Sequence, residues 1–152
     1  MMLHIEAVSK LFNPGTVDEK IALMNANLQL KAGDFVTVIG SNGAGKSTLM
    51  NIISGVLKPD AGQVWIDGVN VNRYSEHERS RWIGRVFQDP MAGTAPRMTI
   101  EENLAVAYKR GQMRGLTFGV TRKTRGLFRE ELSRLGIGLE NRLGAKVGLL
   151  PG

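Results

Sequence analysis

The stretch VIGSNGAGKST, Val38 to Thr48, limits what this 152-residue chain can fold into more than any other. It follows the pattern G-x-x-x-x-G-K-[ST], with Gly40, Gly45, Lys46 and Ser47 at the fixed positions and Ser41, Asn42, Gly43 and Ala44 between them. A strand-like run, FVTVIG, leads into it, and a helix is expected to open at Lys46 and run to about Val56. Gly43 and Gly45 let the backbone curl with its N–H groups converging on one point, a turn that bulky side chains would obstruct. The helix directs roughly half an elementary positive charge at the same point. Lys46 can reach the β- and γ-phosphates of a nucleoside triphosphate, the Ser47 hydroxyl can ligate Mg2+, and Thr48 can donate to an α-phosphate oxygen. The motif implies a nucleoside triphosphate site. It leaves the use of the phosphate open, because kinases, GTPases and motor ATPases share it.

The rest of the chain supplies the setting. Short apolar or alternating runs predict strands at LHIEAV, ANLQL, FVTVIG, QVWID and IGRVFQ. KAGD at Lys31–Asp34 and the Asp67-Gly68 pair read as turns between them, and the KPDAG loop, with Pro59 and Gly62, stops the helix after the glycine-rich motif. Ser75 with Glu78, and Thr99 with Glu102, each form the S/T-x-x-E pattern that opens a helix. LFREELSRLG predicts a further helix stopped by Gly136, and LENRLG a short one. Residues 1–95 therefore mix strands and helices, residues 96–152 are helical, and the Gly- and Pro-rich QDPMAGTAP separates the two.

Charge and composition narrow the function classes. The net charge of +6 comes from one segment, residues 109–129, with seven basic and no acidic residues; the remainder holds 13 basic against 14 acidic. Such a segment can meet phosphates, anionic headgroups or an acidic partner, or lie solvated in a loop. With no cysteine there is neither a disulfide framework nor a thiolate metal site. No apolar run reaches the roughly 18 residues that span a bilayer, and the N-terminus lacks secretory-signal features, so a soluble intracellular chain is expected. His4 and His77 have no nucleophile partner in sequence, and the pairs Glu101-Glu102 and Glu130-Glu131 read as helix-surface charge.

Taken in order, IEAVSKLF, the long segment from LMNANLQL through VIGSNGAGKST to VWIDG, then IGRVFQDP and MTIEENL, resemble the ATP-binding subunit of ABC transporters. The resemblance runs from about Leu3 to the last residue. It implies an α/β fold of the P-loop NTPase, ABC-ATPase type, with an antiparallel β subdomain, a partial RecA-like core and a partial helical subdomain. It implies ATP and Mg2+ as ligands, with Phe12 stacked on adenine through its π-face, residues 40–48 on the phosphates, and Ser47 and Gln88 at the metal. It also implies a transmembrane permease and a second ATPase subunit as partners, at the inner face of the cell membrane, with no nucleic acid. The basic segment 109–129 reads as an insertion in the helical subdomain.

The same resemblance sets expectations for the chain's end. Leu150-Pro151-Gly152 aligns with the first three positions of the family's Leu-Ser-Gly-Gly-Gln signature, with Pro151 where a phosphate-contacting serine belongs. The acidic Mg2+-binding strand, the catalytic glutamate and the switch histidine of the family have no counterparts in the 152 residues. The chain is therefore expected to be an N-terminal fragment with an incomplete central sheet. It should bind ATP·Mg2+ at most, without hydrolysing it, and be marginally stable. A non-transport ABC ATPase acting on nucleic acid or ribosomes, and a non-catalytic nucleotide-binding product, stay open as alternatives.

Overall fold

The computed structural model describes residues 2–110 and 119–150. The chain forms two compact units, Met1–Ile83 and Gly84–Gly152. The first is a four-stranded antiparallel sheet with one principal helix. Its strands are β1 (Leu3–Phe12), β2 (Lys20–Leu30), β3 (Ala61–Ile66) and β4 (Val69–Asn70), in the order β2-β1-β3-β4. Helix α1 spans Lys46–Ser54, and the single turn α2 spans Glu76–Arg79.

Buried Ile5, Val8, Ile52, Val64, Ile66 and Val71 form the core of this unit, with Leu23, Leu28, Leu49 and Ile53 packed around them. Val64 and Ile66 alternate as a half-buried strand requires. Ile5 and Val8 are three apart, so strict alternation would turn one of them outward. A bulge resolves the conflict: Ala7 adopts φ 50 and its N–H donates to Asn27 Oδ1 at 2.9 Å. Asp67 and Gly68, at φ 48 and 77, give the β3–β4 hairpin its mirror-image turn.

Two of the expected strands do not form. FVTVIG (35–40) and IGRVFQ (83–88) run as irregular chain, and Phe35, Ile39 and Val86 are 94%, 87% and 97% exposed. A strand exists only where a neighbour takes its backbone hydrogen bonds, and none of the described strands lies beside either segment. KAGD accordingly closes β2 with a turn and leads into no second strand.

The second unit packs helix α3 (Ile100–Tyr108) with helix α4 (Arg122–Ser133) around Ile100, Ala105, Phe128, Leu132 and Leu143. Both sequence-predicted capping boxes form, at Ser75/Glu78 and Thr99/Glu102. A third, Thr121/Thr124, starts α4 at Arg122, five residues earlier than the apolar pattern from Leu127 suggests. LENRLG forms only a 3-10 turn at Leu139–Asn141. The basic segment is partly structural: Arg125 grips Glu101 through Nε and Nη2 at 2.6 and 2.8 Å, tying α4 to α3. Pro151, Gly152 and positions 111–118 of the basic segment lie outside the described residues.

Candidate functional site

The loop 40–45 and the first turn of α1 are built as the glycine spacing requires. Gly43 and Gly45 take φ 85 and 84, left-handed values that a side chain disfavours. Gly45 is also buried against β2: a Cβ there would stand 2.2 Å from the Ala22 carbonyl oxygen and 3.1 Å from Leu23 Cδ2. The motif glycine is therefore required twice, for its turn and for the close approach of β2.

Gly45 is the N-cap of α1 and has no side chain to satisfy the helix's first N–H groups. Helices α2, α3 and α4 each carry a capping box at that place. Lys46 folds back over the loop, its Nζ donating to the carbonyls of Gly40 at 2.7 Å and Ser41 at 2.8 Å. The loop thus presents backbone donors, an ammonium held on neutral carbonyls, and the exposed Ser47 hydroxyl. This donor set fits a polyphosphate and a hard, oxygen-seeking cation. Thr48, half-buried in the same turn, completes the group.

The far end of α1 is held by a residue that the sequence does not advertise. Arg79 is fully buried; its Nη1 donates to the carbonyls of Ile52 at 2.6 Å and Ile53 at 2.9 Å, and its Nε to that of Tyr74 at 3.1 Å. A cation on the last carbonyls of a helix complements its dipole. Burial depresses the Arg79 pKa, and the hydrogen bonds keep the guanidinium charged. In sequence Arg79 stands in a short polar helix and reads as surface.

Phe12 ends β1, half-buried, directly opposite Lys20. Asp60 clamps this strand end, accepting the Leu11 N–H and the Lys10 ammonium, each at 2.7 Å, and these bonds hold its carboxyl below the usual range. Lys10 Nζ lies 5.7 Å from the centre of the Phe12 ring. Gln88 belongs to the second unit, exposed just before a 3-10 turn at Pro90–Gly93 that the Asp89 side chain caps. Residues 40–48 and Phe12 both lie in the first unit, and Gln88 is described within its own unit.

Comparison with known proteins places this loop in a family. The ABC transporter family model matches residues 23–148. The tyrosine transport ATP-binding protein of Clostridioides difficile is 38% identical over 151 residues, covering 99% of this chain and 60% of that protein. The choline transport ATP-binding protein OpuBA of Bacillus subtilis is 39% identical over 108 residues, 71% of this chain and 27% of that protein. Among solved structures, a dimeric ATP-binding cassette in a post-hydrolysis state with ADP and Pi superposes with a TM-score of 0.73 at 31% identity, over 99% of this chain and 63% of that one. The chain belongs to the ABC transporter family, as an ATP-binding subunit sequence with the ABC-ATPase form of the P-loop NTPase fold. It spans about three fifths of the length of the tyrosine-transport relative. Among the described residues, no helix is long and apolar enough to cross a membrane.

Proposed function

We propose that residues 40–48 bind the triphosphate of ATP·Mg2+, with Phe12 stacked on adenine and with Ser47 and Gln88 as the side chains that reach the metal. The observation that carries this reading is the left-handed Gly43 and Gly45 turn running into the uncapped start of α1, with Lys46 folded over it. On binding, Lys46 exchanges two carbonyl partners for phosphate oxygens, which turns neutral-acceptor hydrogen bonds into charge-paired ones. Ser47 offers its oxygen from the exposed side of the same turn. Ser47 and Gln88 would hold Mg2+, which would offset the charge of the phosphates.

In the whole protein this nucleotide grip serves a bacterial-type importer. ATP draws two such subunits together beneath a transmembrane permease, and hydrolysis resets them while solute enters the cell. Similarity to the spermidine/putrescine import ATP-binding protein PotA of Lawsonia intracellularis, 38% identical over 104 residues, and to the aliphatic sulfonates import ATP-binding protein SsuB of Bacillus cereus, 41% identical over 105 residues, supports this reading. The protein then works in the cytoplasm, held at the inner face of the membrane through the permease and without nucleic acid. Residues 1–95 form the nucleotide-binding part and 96–152 the helical part that meets the permease. Calorimetric titration of the 152-residue chain with MgATP tests the site. Lys46→Ala should weaken binding by at least about tenfold, and equal affinity of the two proteins would refute the assignment.

A further inference from the structure

We propose that Lys20 is a second cationic contact to the polyphosphate, reaching it from the sheet side of the loop. This rests on the nucleotide reading above and names a residue that the glycine-rich motif does not contain. Lys20 opens β2 directly opposite Phe12 in the antiparallel register, so the two side chains leave the same face of the sheet. Its Nζ stands 3.2 Å from the point where a Cβ on Gly43 would lie. The ammonium therefore rests on the left-handed turn at Gly43.

That position is not the chance reach of a long side chain. Two residues further along β2, the Ala22 carbonyl and the Leu23 side chain press against Gly45, fixing the start of the strand to the loop. The neighbouring Lys10 has its charge met by Asp60 at 2.7 Å. Lys20 has no carboxylate partner among the described residues. Lys46, on the same loop, rests on carbonyls alone. Two ammonium groups thus stand at one glycine-rich loop, and among the described residues neither is paired with a carboxylate, an arrangement that an anion of high charge completes. The register also sets Lys20 between the base end, marked by Phe12, and the phosphate end, marked by Gly43. Its contribution should grow with the number of phosphates and shrink with salt.

Calorimetric titration of the 152-residue chain with MgATP and with AMP, at low and at high salt, tests this. Lys20→Met should lower MgATP affinity roughly tenfold at low salt, affect AMP less, and narrow the difference between the two salt conditions. Lys20→Arg, which keeps the charge, should bind close to the unaltered chain. Lys20 is exposed, so the circular dichroism and thermal midpoint of Lys20→Met should match the unaltered chain. Undiminished MgATP affinity in Lys20→Met, with Lys46→Ala impaired, overturns the role of Lys20 and leaves the nucleotide site standing. An equal loss in Lys20→Arg and Lys20→Met overturns it too, because charge would not be the cause. Failure of the site itself has a different signature: the unaltered chain does not bind MgATP, or Lys46→Ala binds as well as it does, and the Lys20 proposal falls with it.

Discussion

At Arg79 a guanidinium is buried without a carboxylate, and the carbonyls ending α1 take the place of one. Truncating it would take from the Ile53 and Tyr74 carbonyls the donor they have here, and would leave the Ile52 carbonyl only the longer bond from the Gly55 N–H at 3.3 Å. Arg79→Met should therefore destabilise the chain by roughly 2–4 kcal/mol, and Arg79→Lys, which can reach fewer of those oxygens, by less. Urea denaturation measures both; a loss under about 0.5 kcal/mol for the methionine variant, the range of ordinary surface substitutions, would show the bonds to be idle. Gly45 sets the opposite end of the same helix. Gly45→Ala must displace the Ala22 carbonyl as well as accept φ 84, so it should reduce MgATP binding more than Gly68→Ala reduces it. Gly68 has no atom within 4 Å of its Cβ position.

Among the elements, β1 carries a local conflict that its neighbours resolve. The bulge that turns both Ile5 and Val8 inward holds Ala7 in the left-handed region, a conformation costing roughly 1–2 kcal/mol for an L-residue. Ala7→Gly should relieve it and raise stability by about 1 kcal/mol, read as a higher urea midpoint at constant slope. Gly62 faces the same bulge from β3, where a Cβ would stand 2.4 Å from the Ala7 carbonyl carbon and oxygen. Gly62→Ala should therefore destabilise the sheet, and a neutral result would mean that the bulge can move. The helices show why capping was legible in sequence: each box is closed by residues three apart, and no distant group takes part. The Thr121/Thr124 box was not legible, because threonine replaces the usual Glu or Gln and no apolar run follows at once.

For the whole molecule, carboxylates and exposed apolar groups set the conditions under which the chain holds together. Backbone and side-chain hydrogen bonds from Leu11 and Lys10 lower the pKa of Asp60, and Ser75 and Thr99 do the same for Glu78 and Glu102. The Arg125 hydrogen bonds lower that of Glu101. A folded pKa below the unfolded one gives stability that is complete above the unfolded value, near about pH 4, and lost as pH falls through the folded value. Stability should therefore fall on acidification below about pH 5, and Glu101→Gln should flatten that fall. An unchanged acid slope in Glu101→Gln would show that the Arg125 pair is not coupled to folding. Phe35, Ile39 and Val86 stand almost wholly in solvent. The 152-residue chain should accordingly self-associate at working concentrations, and a monodisperse monomer in analytical ultracentrifugation would contradict this.

Contacts between near neighbours were decided by the sequence itself. The glycine turn into α1, the fold-back of Lys46, two capping boxes and the Asp67-Gly68 hairpin all close within six residues, so residue type and spacing suffice. Only the tertiary structure decided the rest. Whether FVTVIG and IGRVFQ become strands depends on a partner to take their hydrogen bonds, and propensity cannot supply one. Whether Arg79 lies inside or outside depends on the end of a helix some 26 residues earlier in the chain. Whether Lys20 reaches the glycine-rich loop depends on the β1–β2 register and on Ala22 meeting Gly45. In each case the deciding interaction joins groups far apart in the chain, and local sequence holds no record of such a meeting.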